Sequence, residues 1–247
     1  MSANRLLQGF PQPSNLNRLT PLREQIYQLL RSAIVNGRMK PGQSVEELEI
    51  ADRLGISRTP VREAVKKLSD EGLINVVAQS GTRVASIERK QVEEAYIIRK
   101  ALELEGVARA ARVITKHHTD DLEDLVDKFA RAYAREAFDD AVVLDDDFHR
   151  YITEINGLSM LWRAIDISKA QTDRCSYLSS SIPSMGDQTV AEHRAVIRAL
   201  KTGQEDKAVA AMRTHLDNSL RTALNLIGSV TNTPGETARR PRRRRRS

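Results

Sequence analysis

Apolar residues recur at helical spacing along most of the chain, and the breaks in that rhythm divide it into elements. Leu22, Ile26, Leu29, Leu30 and Ala33 mark a first helix, opened by Thr20 as N-cap and Pro21 as first helical residue, and stopped at Gly37. After a turn at Lys40-Pro41-Gly42, Leu48, Ala51 and Leu54 keep one apolar face, with Ser44 and Glu47 as a capping box and Gly55 as C-cap. Val61, Ala64, Val65 and Leu68 form the stripe of a third helix that ends at Gly72; Ser57 or Thr59 can cap it, and Pro60 fits its first turn. The β-prone runs LINVVA and TRVASI, separated by Gln79-Ser80-Gly81, predict a hairpin. From residue 88 to 230 only helical periodicity remains. It predicts helices near 89–115, 119–135, 137–155, 158–180, 187–202 and 204–228, broken at His117-His118, Asn156-Gly157, Ser181-Ile182-Pro183 and Gly203.

The stretch from Glu47 to Leu73 therefore reads as two short helices hinged at Gly55, with Arg58, Thr59 and Arg62 on the outer face of the second. Arginine can bond bidentately to the O6 and N7 of guanine, and a helix N-terminus attracts phosphate, so these residue types suit a helix lying in a major groove. Spacing alone also allows a charged amphipathic hairpin of an ordinary helical protein. The residues themselves decide further: Asp52-Arg53-Leu54-Gly55-Ile56-Ser57-Arg58-Thr59-Pro60-Val61-Arg62-Glu63-Ala64, then Leu68 and Glu71-Gly72-Leu73-Ile74, closely resemble the signature of the GntR family of bacterial winged-helix repressors.

That resemblance makes the hairpin the wing, whose tip in the family lies against the minor groove, so that Gly81, Thr82 and Arg83 join Ser57, Arg58, Thr59 and Arg62 as DNA-binding candidates. Arg83 taken alone could equally be a solvated surface residue. The predicted fold is mostly α: a winged helix-turn-helix over 20–87 and an antiparallel all-α bundle over 88–230, with a mobile segment 1–19 in front and an Arg-rich tail 231–247 behind. No βαβ alternation appears, and the bundle resembles the FCD domain of the FadR branch, including its VanR-like subgroup. One departure is Leu48, where some relatives carry a basic DNA-contacting residue.

Charge sharpens the division. Lys and Arg against Asp and Glu number 14 to 9 over residues 1–90, 18 to 23 over 91–230, and 7 to 1 over 231–247. A basic front on an acidic middle assigns polyanion binding to the front. The tail ARRPRRRRRS is too charged to fold; it either adds sequence-independent DNA affinity or serves as a solubilising end. With 40% hydrophobic residues, no run long enough to span a membrane and no signal-peptide core, the chain is expected to be cytoplasmic. Cys175 is its only cysteine, which excludes an internal disulfide and a Cys-based zinc ribbon.

Within the bundle the informative positions are polar residues on apolar stripes. Asp145 and His149 sit one turn apart on a face with Val142 and Ile152. His193 shares a face with Val190, Ile197 and Leu200, and His215 with Ala208, Met212 and Ser219. Gly203 lies ten residues after His193 and twelve before His215, so at a rise of about 1.5 Å per residue a helical hairpin brings both imidazoles to one level. Each histidine alone is more commonly a core or capping residue, and Asp145 with His149 a simple hydrogen-bonded pair. Jointly they also match the FCD metal motif: DDDFH supplies Asp145 and His149, AEHRAVIRAL His193, and MRTHL His215. Asp146 and Asp147 compete with Asp145, but Asp145 has the spacing that faces His149. Such ligands suit a divalent ion, Zn²⁺ or Ni²⁺ above all. Arg99 lies on a stripe with Val92, Tyr96 and Glu103; the resemblance makes it an effector clamp, while a surface pair with Glu103 is the alternative. Arg174 and Tyr177 are further pocket candidates; Phe148 and Trp162 are expected in the core, and His117 and His118 on the surface.

The resulting expectation is a homodimeric, ligand-responsive transcriptional regulator, not an enzyme, that binds a palindromic operator and takes a small organic carboxylate at a metal site. A metal-dependent hydrolase built on the same cluster would leave the DNA-binding half unexplained. An architectural DNA-binding protein relying on the Arg tail would give diffuse rather than site-specific coverage of DNA.

Overall fold

A computed structural model describes residues 19–77, 81–180 and 182–231. The expectations for residues 1–18, the tip of the hairpin at 78–80 and the tail from 232 onward lie outside the described residues. Three helices, α1 (Leu22–Val35), α2 (Glu47–Leu54) and α3 (Arg58–Asp70), precede an antiparallel hairpin of β1 (Ile74–Val77) and β2 (Gly81–Val84) in the register Ile74↔Val84 to Val77↔Gly81. The bundle follows as α4 (Arg89–Val113), α5 (Lys116–Ala134), α6 (Phe138–Glu154), α7 (Ser159–Ser168), α8 (Ala170–Ser180), α9 (Pro183–Leu200) and α10 (Glu205–Thr231). No described helix is long and apolar enough to cross a membrane.

Gly55 ends α2 in the left-handed region at φ 64°, and the amide of Ile56 donates back to the carbonyl of Ala51, which closes a Schellman turn and sets α3 sharply against α2. Ser44 does not cap α2: it pairs with Arg83 in a β-bridge and its hydroxyl meets the Glu46 carboxylate, while Glu46 takes the N-cap position. The backbone of residues 42–45 thereby adds a third edge to the wing, with Val45 N donating to Thr82 O and Val84 N to Gln43 O. Leu48 is exposed, and the buried stripe of α2 is Ile50, Ala51 and Leu54. Pro21, not Thr20, occupies the N-cap of α1.

In the bundle, His118 is not at a break. It is the third residue of α5, where its ring and the Thr115 hydroxyl form a reciprocal capping box. The single helix expected over 158–180 is two. The interruption is slight: Lys169 keeps αR geometry and its amide still donates to the carbonyl of Ile165 at 3.0 Å, while the hydroxyls of Ser168 and Thr172 add second bonds to the carbonyls of Ile165 and Lys169.

Two main cores result, one inside the winged helix and one inside the bundle. Ala170, the first residue of α8, is buried in the winged-helix core, so α8 belongs to the bundle by sequence and docks on the other domain by packing.

Candidate metal centre and nucleic-acid interface

Asp145, His149, His193 and His215 meet in the bundle, one ligand atom from each lying within 4.8 Å of the others. All three histidines are buried. His149 Nε2 and His215 Nε2 are 3.2 Å apart, His193 Nε2 is 3.4 Å from Asp145 Oδ1, and His149 Nε2 is 4.0 Å from Asp145 Oδ2. The far side of two rings is fixed by carboxylates: His215 Nδ1 lies 2.8 Å from Glu192 Oε2, and His149 Nδ1 lies 2.6 Å from Glu103 Oε2, a close contact whose angle falls short of a good hydrogen bond. A carboxylate only accepts, so both Nδ1 atoms carry the proton and both Nε2 lone pairs turn toward the same point. Two lone pairs facing at 3.2 Å repel unless a cation lies between them. His193, stacked on Phe148 at 3.9 Å, has neither ring nitrogen hydrogen-bonded. A buried imidazole with neither nitrogen hydrogen-bonded is costly, and coordination removes that cost, so the residues fit a divalent metal.

Burial holds His149 and His193 in the neutral form, with pKa values below the ordinary 6.5, further lowered at His193 by the neighbouring imidazoles of His215 and His149. An unfolded chain would protonate both near pH 6.5, so the stability present above that pH drains away on acidification. The thermal midpoint of metal-free protein is expected to fall between pH 7 and pH 5; a midpoint that rises over that range would contradict the buried neutral pair.

Arg99 and Glu103 on α4 form a buried ion pair, not a surface one. Burial alone would push Glu103 up; Arg99 and then His149 hold its carboxyl at about 2. Arg99 Nη2 remains buried without a hydrogen-bond partner. A cavity of about 70 Å³, room for several water molecules, opens beside the cluster. Asp145, His215 and Tyr96 reach its wall together with the hydroxyl residues Ser176, Ser179, Ser219 and Thr222, whereas Arg99 stops short of it. Cys175 also borders it, but burial pushes its thiol up to about 12, which leaves it inert.

Arg174 and Tyr177 are not brought to this cavity. They face the junction with the winged helix, where Arg174 donates to the carbonyls of Ala85 at 2.8 Å and Ser86 at 3.5 Å. An ionic chain with a buried centre at Lys169 and Asp173 crosses the same junction. Lys169 Nζ lies 2.6 Å from Asp146 Oδ2 and 2.5 Å from Asp173 Oδ1; Asp173 Oδ2 lies 3.3 Å from Arg31 of α1; Arg31 Nε lies 3.6 Å from Glu71, the C-cap of α3. The chain begins one residue from Asp145 and ends on the helix of the basic face. Phe148 is in the core as expected, Trp162 is half-buried and His117 is exposed.

On α3, Arg58, Thr59 and Arg62 are exposed. Ser57 holds the N-cap position without a side-chain capping bond, so first-turn amides stay open to a phosphate. Arg58 leans on Glu47 at 3.7 Å, a weak surface pair, and Arg83 of the wing rests on the carbonyl of Gly42 at 3.0 Å.

Comparison with known proteins agrees with this two-part layout. The profile of bacterial regulatory proteins of the gntR family matches residues 22–84, and that of the FCD domain matches residues 94–218. The HTH-type transcriptional repressor RspR of Escherichia coli (strain K12) is 36% identical over 203 residues, 82% of this chain and 89% of that one. This chain belongs to the GntR family and carries an FCD domain. The probable D-xylose utilization operon transcriptional repressor of Paenarthrobacter nicotinovorans is 31% identical over 218 residues, covering 85% and 92% of the two chains. In fold, this GntR regulator matches E. coli McbR/YncC with a TM-score of 0.71 at 22% identity (86% and 100% covered), and a putative GntR regulator from Rhodococcus sp. RHA1 with 0.68 at 22% (83% and 99%). It is a DNA-binding transcriptional regulator, as its relatives are, and not an enzyme.

Neither Glu192 nor Lys169 stood out in the sequence. Glu192 directly precedes His193, and an acid beside a candidate ligand was the available signal.

Proposed function

We propose that this regulator is a homodimeric repressor whose grip on a palindromic operator is modulated by a small organic carboxylate bound at a metal centre in the FCD domain. The observation that carries the reading is the convergence of three buried imidazoles, two beside carboxylates on their far side and one with neither ring nitrogen hydrogen-bonded. Asp145, His149, His193 and His215 would hold the ion, and their borderline nitrogen and oxygen donors suit Zn²⁺ or Ni²⁺. A bound divalent ion supplies positive charge to an incoming carboxylate. The protein supplies the hydroxyls of Ser176, Ser179, Ser219 and Thr222 around it, with Arg99 as a long-range cation. Residues 20–87 would form the DNA-binding unit, with Ser57, Arg58, Thr59, Arg62, Gly81, Thr82 and Arg83 at the duplex, and residues 88–230 the effector-binding and dimerisation unit.

The dimer is supported by Ile97 on α4 with Met160 and Ile167 on neighbouring α7, which are 68%, 66% and 71% exposed; α7 thus offers an apolar stripe to solvent. The route to DNA runs through α8 and the chain from Asp146 to Glu71 as well as through the linker into α4.

A ligand shifts such an equilibrium only by its differential affinity for the DNA-competent and incompetent arrangements, typically about 1–3 kcal/mol. One carboxylate of a small-acid panel is therefore expected to change operator affinity roughly 5–150-fold. Purified protein supplemented with zinc or nickel should carry about one ion per chain. His193→Ala and His215→Ala should lose the ion and the response while basal DNA binding persists. Elemental analysis and operator titrations on all three proteins check this, and an undiminished response in both variants would place the effector elsewhere.

A further inference from the structure

A second cavity, of about 430 Å³, lies where the winged helix meets the bundle, a size ordinary for small-molecule sites. Val35 of α1, Ile87 of the linker, Leu178 of α8 and Ile227 of α10 give it an apolar lining. Among the described residues its charged members are both cations, Lys40 and Arg174, and no carboxylate lines it. Arg174 is 3% exposed, yet its three hydrogen bonds go to neutral acceptors, the carbonyls of Ala85 and Ser86 and the side chain of Gln171. Among the described residues no carboxylate pairs with it. The other buried Lys and Arg among the described residues are each matched: Arg99 by Glu103, and Lys169 by Asp146 and Asp173. An uncompensated buried charge is costly, and burial alone pulls Arg174 down to about 10. A guanidinium offers five N–H groups, so two remain after the three bonds made here.

We propose that this junction cavity is a second, metal-independent ligand site for an organic acid with an apolar body, the carboxylate meeting Arg174 and the body lying along Val35, Ile87, Leu178 and Ile227. One helix separates it from the metal cavity. Cys175, Ser176 and Ser179 of α8 face the metal side, while Arg174, Tyr177 and Leu178 face the junction, as the helical repeat requires for opposite faces. The site does not rest on the metal reading. Its occupant would touch α1, the linker and α8 at once, the elements that set the winged helix on the bundle.

Fluorescence titration of the full-length protein with 2-naphthoate tests this, with 2-naphthol as the same body lacking the acid and acetate as the acid lacking the body. Saturable 2-naphthoate binding is expected, at least ten-fold tighter than either control, and unchanged by chelator or by His193→Ala. Arg174→Gln should weaken it at least ten-fold. Because Arg174 also ties down the linker, Leu178→Asp, on a partly exposed wall position, provides the second variant and should weaken it comparably. Absence of saturable 2-naphthoate binding, equal binding of 2-naphthol, loss of binding in His193→Ala, or wild-type affinity in Leu178→Asp would each overturn the proposal.

Discussion

Replacing Lys169 with Met is expected to lower folding stability by about 3–5 kcal/mol, because it removes the cation from a buried chain and leaves two carboxylates facing each other. Met is close to Lys in volume, so little packing is lost and the cost is electrostatic. The Lys169 ammonium is 2% exposed and lies within 2.6 Å of both Asp146 and Asp173. Burial already pushes the Asp146 carboxyl up to about 7, against the pull of Lys169. Without the ammonium it takes up a proton more readily, so the full penalty shows only above neutrality. Urea unfolding at about pH 8 is the measurement. Adding Asp146→Asn and Asp173→Asn to the same variant should recover most of the loss, since removing both sides of a buried ion set is far cheaper than removing one. A Lys169→Met protein within about 1 kcal/mol of wild type would mean that water already reaches the chain.

The second large effect belongs to α3. Arg62→Ala is expected to cost about 1–3 kcal/mol of discrimination between operator and unrelated DNA, and the double variant Arg58→Ala/Arg62→Ala on the order of twice that. Arg58 should contribute the smaller share, because reaching a base means leaving Glu47, 3.7 Å away. Both side chains are exposed on α3 while Val61, Ala64, Val65 and Leu68 bury its other face, so the circular dichroism spectrum should not change. Competition gel shifts with operator and scrambled duplexes separate the two affinities. Full retention of specificity in the double variant would remove α3 from the readout.

What could be read from the sequence is what the helical repeat and glycine punctuation determine. Asp145 and His149 share a face by a four-residue spacing, and His193 and His215 come level because Gly203, at φ 68°, turns α9 back onto α10. The residues that orient and connect this cluster were not legible, because they act across distance. Glu192 reaches His215 twenty-three positions on, and Lys169 reaches Asp146 twenty-three positions back. Local chemistry also misled where two partners competed. Ser44 has the spacing of a cap for α2, but the strand pairing to Arg83 takes its backbone first. His118 looks like a loop residue until Thr115 recruits its ring as a cap.

Lys169 and Asp173, the buried centre of the chain from Asp146 to Glu71, are shielded from ionic strength in a way the DNA contacts are not. Contacts between exposed arginines and phosphates are screened, with a Debye length of roughly 8 Å at physiological salt, and a regulator making six to ten phosphate contacts loses about 10³–10⁵ in affinity between 50 and 200 mM. Lys169 and Asp173, at 2% and 8% side-chain exposure, lie where mobile ions do not enter. If the proposed effector response runs through this centre, added salt should strip the regulator from DNA while leaving nearly constant the ratio of operator affinities with and without effector.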